Sequence, residues 1–161
     1  MGASSIYRHV RSKHELLVLE LSDLQEEAWQ RFRQADQRRR PVLERLLGFF
    51  DAQHALLAGD ADLVVIALRA TTYPDAPVAR RALALQDRAI GLIAEILQSG
   101  RSELAPDADP LAAAQTLYHA ASGARLAWAN GLLGEERCRA AVATSVEQLF
   151  RGIGRPSPGD P

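Results

Sequence analysis

The 161-residue sequence has a single cysteine, Cys138, a single lysine, Lys13, and a single methionine. One thiol excludes an internal disulfide and a cysteine-based zinc site by count alone. No apolar run approaches the roughly 18–20 residues needed to cross a bilayer. The N-terminus lacks the apolar stretch of a secretory signal, so a cytoplasmic protein with no membrane partner is expected. Sustained period-two alternation, the mark of a half-buried strand, is also missing. The net charge of −1 argues against a uniformly basic nucleic-acid coat. There is no H-E-x-x-H, no P-loop and no dinucleotide glycine fingerprint. His9, His14, His54 and His119 fall in separate segments. Glu26-Glu27 and Glu135-Glu136 are neighbours in sequence rather than opposed carboxylates. The expectation is a protein that is not an enzyme and carries no metal or cofactor.

What is present is enough for a core: 47% of residues are hydrophobic and 24% charged, in a chain of single-domain size. The charge is unevenly placed. Residues 1–13 hold Arg8, Arg11 and Lys13 with no acid, whereas the remainder holds 16 basic and 20 acidic residues.

The periodicity predicts helices throughout. Ser12 and Glu15 form a capping box. Leu17, Leu21, Leu24, Ala28, Phe32 and Ala35 follow at spacings of three and four, one face of a helix reaching about Arg38. Arg38-Arg39-Arg40 suits its solvated C-terminal end. Pro41 opens a second helix that closes at Gly59. Asp60 is expected to cap a short apolar helix, 63–70. Pro74 and Pro77 break the chain before a helix at about 78–102. Asp109-Pro110 starts a helix at about 111–132, and a hinge at Gly134 leads to the last, 135–152. The Pro/Gly-rich segment 154–161 reads as a disordered tail.

The segment Ala3-Ser4-Ser5-Ile6-Tyr7-Arg8-His9-Val10-Arg11-Ser12-Lys13 carries the clearest functional signal. Residues 3–9 read as a short helix with small residues first and hydrogen-bond donors around the following turn, which suits a helix placed in a DNA major groove. The run resembles the end of the DNA-binding head of TetR-like (tetracycline-repressor-like) transcriptional regulators, V-S-x-G-[ST]-[LI]-Y-x-H-F-x-[ST]-K-[ED]-x-L. Ser5, Ile6, Tyr7, His9, Ser12, Lys13 and Leu16 match, whereas Val10 stands where the family carries an aromatic. The resemblance implies that Tyr7, His9 and Lys13 contact phosphates and that Ala3, Ser4 and Ser5 lie against base edges. It also implies two earlier helices, so that the sequence as written begins inside the family pattern.

The fold expected from the resemblance is all-α, a TetR-like helical bundle. In it, 1–38 is part of a helix-turn-helix head with its recognition helix at 3–9 and the long connecting helix, and 39–153 is the effector-binding and dimerisation domain, a six-helix body when the connecting helix is counted. The implied function is a DNA-binding, ligand-responsive regulator, a repressor, with an operator DNA, a small hydrophobic effector and a second copy as partners. The alternative is a helical ligand-binding and dimerisation module without DNA binding, acting through mixed dimers. Candidate effector residues are aromatic and polar groups within apolar helices: Phe50, His54, Arg69, Tyr73, Tyr118, Ser122, Arg125 and Trp128. Each also suits an ordinary packing or surface role. Small side chains at Ala120, Ala124, Ala127 and Gly131, with a stripe through Val142, Ser145 and Leu149, suit pairing with a second copy; the same stripes suit an intrachain core.

Overall fold

The computed structural model describes residues 12–36 and 38–155. Ser12 begins α1 (Lys13–Ala35), its Oγ accepting from the Glu15 amide at 3.1 Å. The helix buries Val18, Leu21, Ala28 and Trp29. It ends at Ala35, three residues short of the expected Arg38, because extended Asp36 turns its carboxylate onto Arg45. Arg38–Arg40 therefore occupy the following turn rather than a helix end.

After Pro41 comes α2 (Val42–Gly59), whose first amide donates to Glu103 Oε2 at 3.0 Å. Asp60 lies between α2 and α3 (Ala61–Ala70) and serves as the boundary residue of both. Its expected capping bond is not made. With φ −133° and ψ 56° the backbone is fixed by the junction of two helices. The capping chemistry appears instead at Asp75, whose Oδ1 accepts from Val78 at 2.9 Å and starts α4 (Ala76–Ser99). Asp109 opens α5 (Pro110–Ala129) as expected, accepting from Leu111 and Ala112.

Helix α5 ends three residues before the expected Leu132. Gly131 adopts φ +73°. The Gly131 amide bonds the Trp128 carbonyl, and the Leu132 amide bonds the Ala127 carbonyl. This is a Schellman closure, which favours glycine at the left-handed position. The last helix, α6 (Glu135–Ile153), follows Gly134. The residues after it are not loose at their start: Ala105 donates to Ile153, and Arg155 donates to Glu103, each at 2.8 Å. That corrects the tail expectation for Gly154 and Arg155; the rest of it, 156–161, lies outside the described residues.

A single 3-10 turn, Arg101–Glu103, joins α4 to the loop before α5. Gly100 before it is buried, and a Cβ there would meet a Val42 methyl at 1.8 Å. Only glycine lets α4 end against the start of α2.

The main core lies between α2, α4, α5 and α6, around Leu46, Phe49, Ile93, Leu97 and Leu117. Trp29 and Phe32 bring the C-terminal half of α1 onto it. Phe49 meets Phe32 and Phe50 edge-on at 5.4 and 5.2 Å, the favourable aromatic geometry. A smaller cluster, Leu21, Leu57, Val64 and Ala67, seats the N-terminal half of α1 on α2 and α3. Among the described residues no helix is long and apolar enough to cross a membrane.

Candidate functional site

Between these two clusters the helices leave a cavity of about 400 Å³. Helix α1 contributes Leu21 and Gln25, and the end of α3 contributes Leu68 and Thr71. Helix α4 contributes Ala82, Leu83, Leu85 and Gln86; α5 contributes Tyr118, Ser122, Arg125 and Leu126. The volume sits at the lower end of small-molecule sites, about 300–1,000 Å³, and the apolar wall with a few placed polar groups is their usual make-up.

Helical periodicity explains the α5 wall. Residues 118, 122 and 125 are spaced by four and three and so share one face. Ala113, Ala114, Leu117 and Ala121 take the face toward the main core. Arg125 is 5% exposed. Its Nη2 donates to Gln53 Oε1 at 2.7 Å, and Gln53 Nε2 donates to Gln25 Oε1 at 3.0 Å. Gln53 and Gln25 are themselves buried. A polar relay thus crosses the interior from α5 through α2 to α1. Arg125 Nε has no acceptor. Among the described residues no carboxylate pairs with this guanidinium; burial pulls its pKa down to about 10, against weaker opposing pulls from Cys138 and Tyr118. Among the described lining residues it is the only side chain carrying a full charge at neutral pH.

The expected effector residues divide accordingly. Tyr118, Ser122 and Arg125 come together in the cavity. Phe50 and His54 lie on the other side of Arg125, in a narrow cleft shared with Asp51, Arg139 and Val142. His54 packs on Trp128, ring centres 5.9 Å apart, and its buried Nδ1 has no partner. Burial, then the charge of Arg125, lowers the His54 pKa. Arg69 does not line the cavity; its Nε is spent on the Ala129 carbonyl at 2.8 Å, at the end of α5. Tyr73 is 95% exposed, because the turn after α3 carries it outward. Gln25 and Gln53 were missed by sequence reasoning, since neither is near Arg125 in the chain and neither belongs to a recognisable motif.

The stripe expected to pair with a second copy is partly used inside the chain. Val142 is 6% exposed and belongs to the main core, with Leu149 packed against it. Helix α6 turns this face onto α2 and α5. Ser145 bonds the Ala141 carbonyl, and Gly131 owes its identity to the closure of α5. Ala120, Ala124 and Ala127 are half-buried on α5. Of the residues expected to contact DNA, Lys13 is exposed in the first turn of α1. Ala3, Ser4, Ser5, Tyr7 and His9 lie outside the described residues.

The arrangement is an all-helical body, with a cavity in its interior, packed against a long first helix. Among solved structures, the chain is similar to full-length native TylP, a TetR regulator from Streptomyces fradiae. The TM-score is 0.68 at 24% identity, over 96% of this chain and 66% of that one. A second structure of full-length TylP gives a TM-score of 0.67 at 24% identity, over 96% and 65%. The chain therefore has the fold of a TetR regulator and spans slightly less than two thirds of the length of these neighbours. No protein-family model and no curated protein matches it.

Proposed function

We propose that the protein is a ligand-responsive transcriptional regulator of the TetR type, a cytoplasmic repressor rather than an enzyme. The observation that carries this reading is the cavity wall supplied by α1. Leu21 and Gln25 face the cavity from the same helix whose first residues continue the DNA-contact pattern. A ligand that fills the cavity bears on α1 and shifts the population between DNA-reading arrangements. Ala3, Ser4 and Ser5 read bases, and Tyr7, His9 and Lys13 hold phosphates. A second copy docks on the outer side of α5 and α6, where Ala120 and Ala127 are half-buried and Gly123 and Ala140 are exposed. Small side chains there let helices approach closely.

Gel retardation with the DNA flanking the protein's own gene tests the reading. Wild-type protein retards the fragment, and Tyr7→Ala weakens retardation by about tenfold or more through loss of a positioning contact. Equal retardation by both proteins, or none by either, overturns the DNA-reading assignment. Sedimentation at micromolar concentration reads the dimer directly.

A further inference from the structure

We propose that the cavity selects an amphipathic monoanion, a carboxylate on an apolar body, with the carboxylate held by Arg125. The inference rests on the cavity being the effector site and adds the chemistry of what enters it.

A guanidinium is kept charged in almost every protein environment, so burial without a counter-ion leaves both charge and hydrogen-bonding capacity unspent. Arg125 shows both deficits. Its Nε is a buried donor without an acceptor, and its hydrogen-bond partner, Gln53, is neutral. No ion pair satisfies it, unlike the buried Arg45. A neutral ligand oxygen would leave the charge unanswered. A carboxylate answers it, and Arg is the side chain best shaped to receive one. Tyr118 and Ser122, which carry hydroxyls, line the cavity from the same face of α5.

The rest of the wall sets the body and the charge. Leu21, Leu68, Leu83, Leu85 and Leu126 offer only hydrocarbon. With a single cation in the described wall, a phosphate would bring a second negative charge that nothing there answers. A cationic ligand would meet Arg125 as a like charge. The 400 Å³ is room for roughly a dozen heavy atoms at about 30 Å³ each, the size of a medium-chain fatty acid.

Gln25 gives the site an outlet. It lines the cavity and ends the relay that begins at Arg125. A carboxylate that draws the guanidinium also acts, through Gln53, on the side chain by which α1 joins the network.

The test is titration calorimetry of the full chain with three probes of one length: decanoate, decanamide and decylamine. Decanoate binds at least about tenfold tighter than decanamide, the value of a charge-assisted bond over a neutral one. Decylamine does not bind. Arg125→Met, of similar length and uncharged, erases the preference, so that decanoate and decanamide bind alike. Arg125→Lys retains part of the preference. Ala82→Trp fills the cavity from α4 and blocks both decanoate and decanamide, with its melting temperature reporting that the fold is kept. Equal affinity for decanoate and decanamide, or a preference that survives Arg125→Met, overturns the anion assignment while leaving an apolar effector cavity standing. Failure of all three probes to bind overturns the anion assignment and the effector-cavity reading together.

Discussion

Two arginines are equally buried in this protein, each 5% exposed, and they live in opposite circumstances. Arg45 sits where α1 gives way to α2. Its Nε and Nη2 reach the two Asp36 oxygens at 2.8 and 2.7 Å, and its Nη1 reaches Ser99 Oγ at 2.8 Å. Every nitrogen has a partner, and the hydrogen bonds to Asp36 raise its pKa. Arg125, at the cavity wall, has one neutral partner and an orphaned Nε, and burial lowers its pKa. The first arginine is a structural clasp: it fixes the turn that sets α1 against the body. The second has no comparable structural return. A buried charge whose shell is incomplete, in a cavity, is a feature expected of a binding site.

The largest test of the contrast turns Arg45 into a second Arg125. Asp36→Ala removes the carboxylate and leaves the buried guanidinium with Ser99 as its hydrogen-bond partner, Glu103 and Glu95 acting on it only through space. Breaking such a pair from one side costs about 3 kcal/mol, because the remaining charge stays desolvated. Urea denaturation should show the midpoint falling with the slope unchanged. A loss under about 1 kcal/mol would mean that Arg45 escapes to solvent when released, and that the clasp contributes little.

The converse substitution has the opposite sign. Arg125→Met removes an uncompensated charge whose burial costs several kcal/mol, while orphaning the Gln53 oxygen costs about 1–3 kcal/mol. The net expectation is a stability gain of about 1 kcal/mol for the unliganded protein, read by the same urea titration. A clear loss would show that Arg125 serves the fold as Arg45 does.

The sequence displays the two arginines unequally. The main core is legible, because Leu46 and Phe50 on α2, and Ile93 and Leu97 on α4, repeat at helical spacing and burial follows the repeat. Ser12 and Asp109 are legible as caps, because each stands immediately before a helical run and nothing else constrains it. Asp60 misleads: it also closes α2, and that double duty sets a backbone from which its side chain makes no cap bond. Tyr118, Ser122 and Arg125 are visible as one face of one helix. Their partners are not, since Gln53 lies 72 residues from Arg125, and Gln25 lies 28 residues from Gln53. Such polar relays between helices are fixed by tertiary packing, for which local periodicity carries no signal. The Arg45–Asp36 clasp, only 9 residues apart, escapes for another reason. The α1 pattern reads on through Asp36 to Arg38, which hides the turn that brings the two together.

The smallest effect in this set is the most specific to Arg125. His54 lies across Arg125 from the cavity, and its imidazole is held below the usual range first by burial and then by that guanidinium's charge; Arg139 lowers it too, while Glu135 and Asp51 raise it. A histidine whose folded pKa is depressed takes up its proton more readily when unfolded. Its contribution to stability is therefore present above the unfolded pKa of about 6.5 and is lost as the pH falls through the lower, folded value. In Arg125→Met the share of the depression due to that guanidinium disappears, while the burial part and the smaller pull of Arg139 stay. The His54 titration, followed by proton–nitrogen NMR of the imidazole, should move upward yet remain below that of a free imidazole. The acid-side loss of stability should become smaller and finish at a higher pH. Wild-type protein saturated with decanoate should shift the same way, since a bound carboxylate masks the same charge. A His54 midpoint unchanged by removing Arg125 would mean that the two groups do not sense each other across the wall, and the cleft and the cavity would then be electrostatically separate regions.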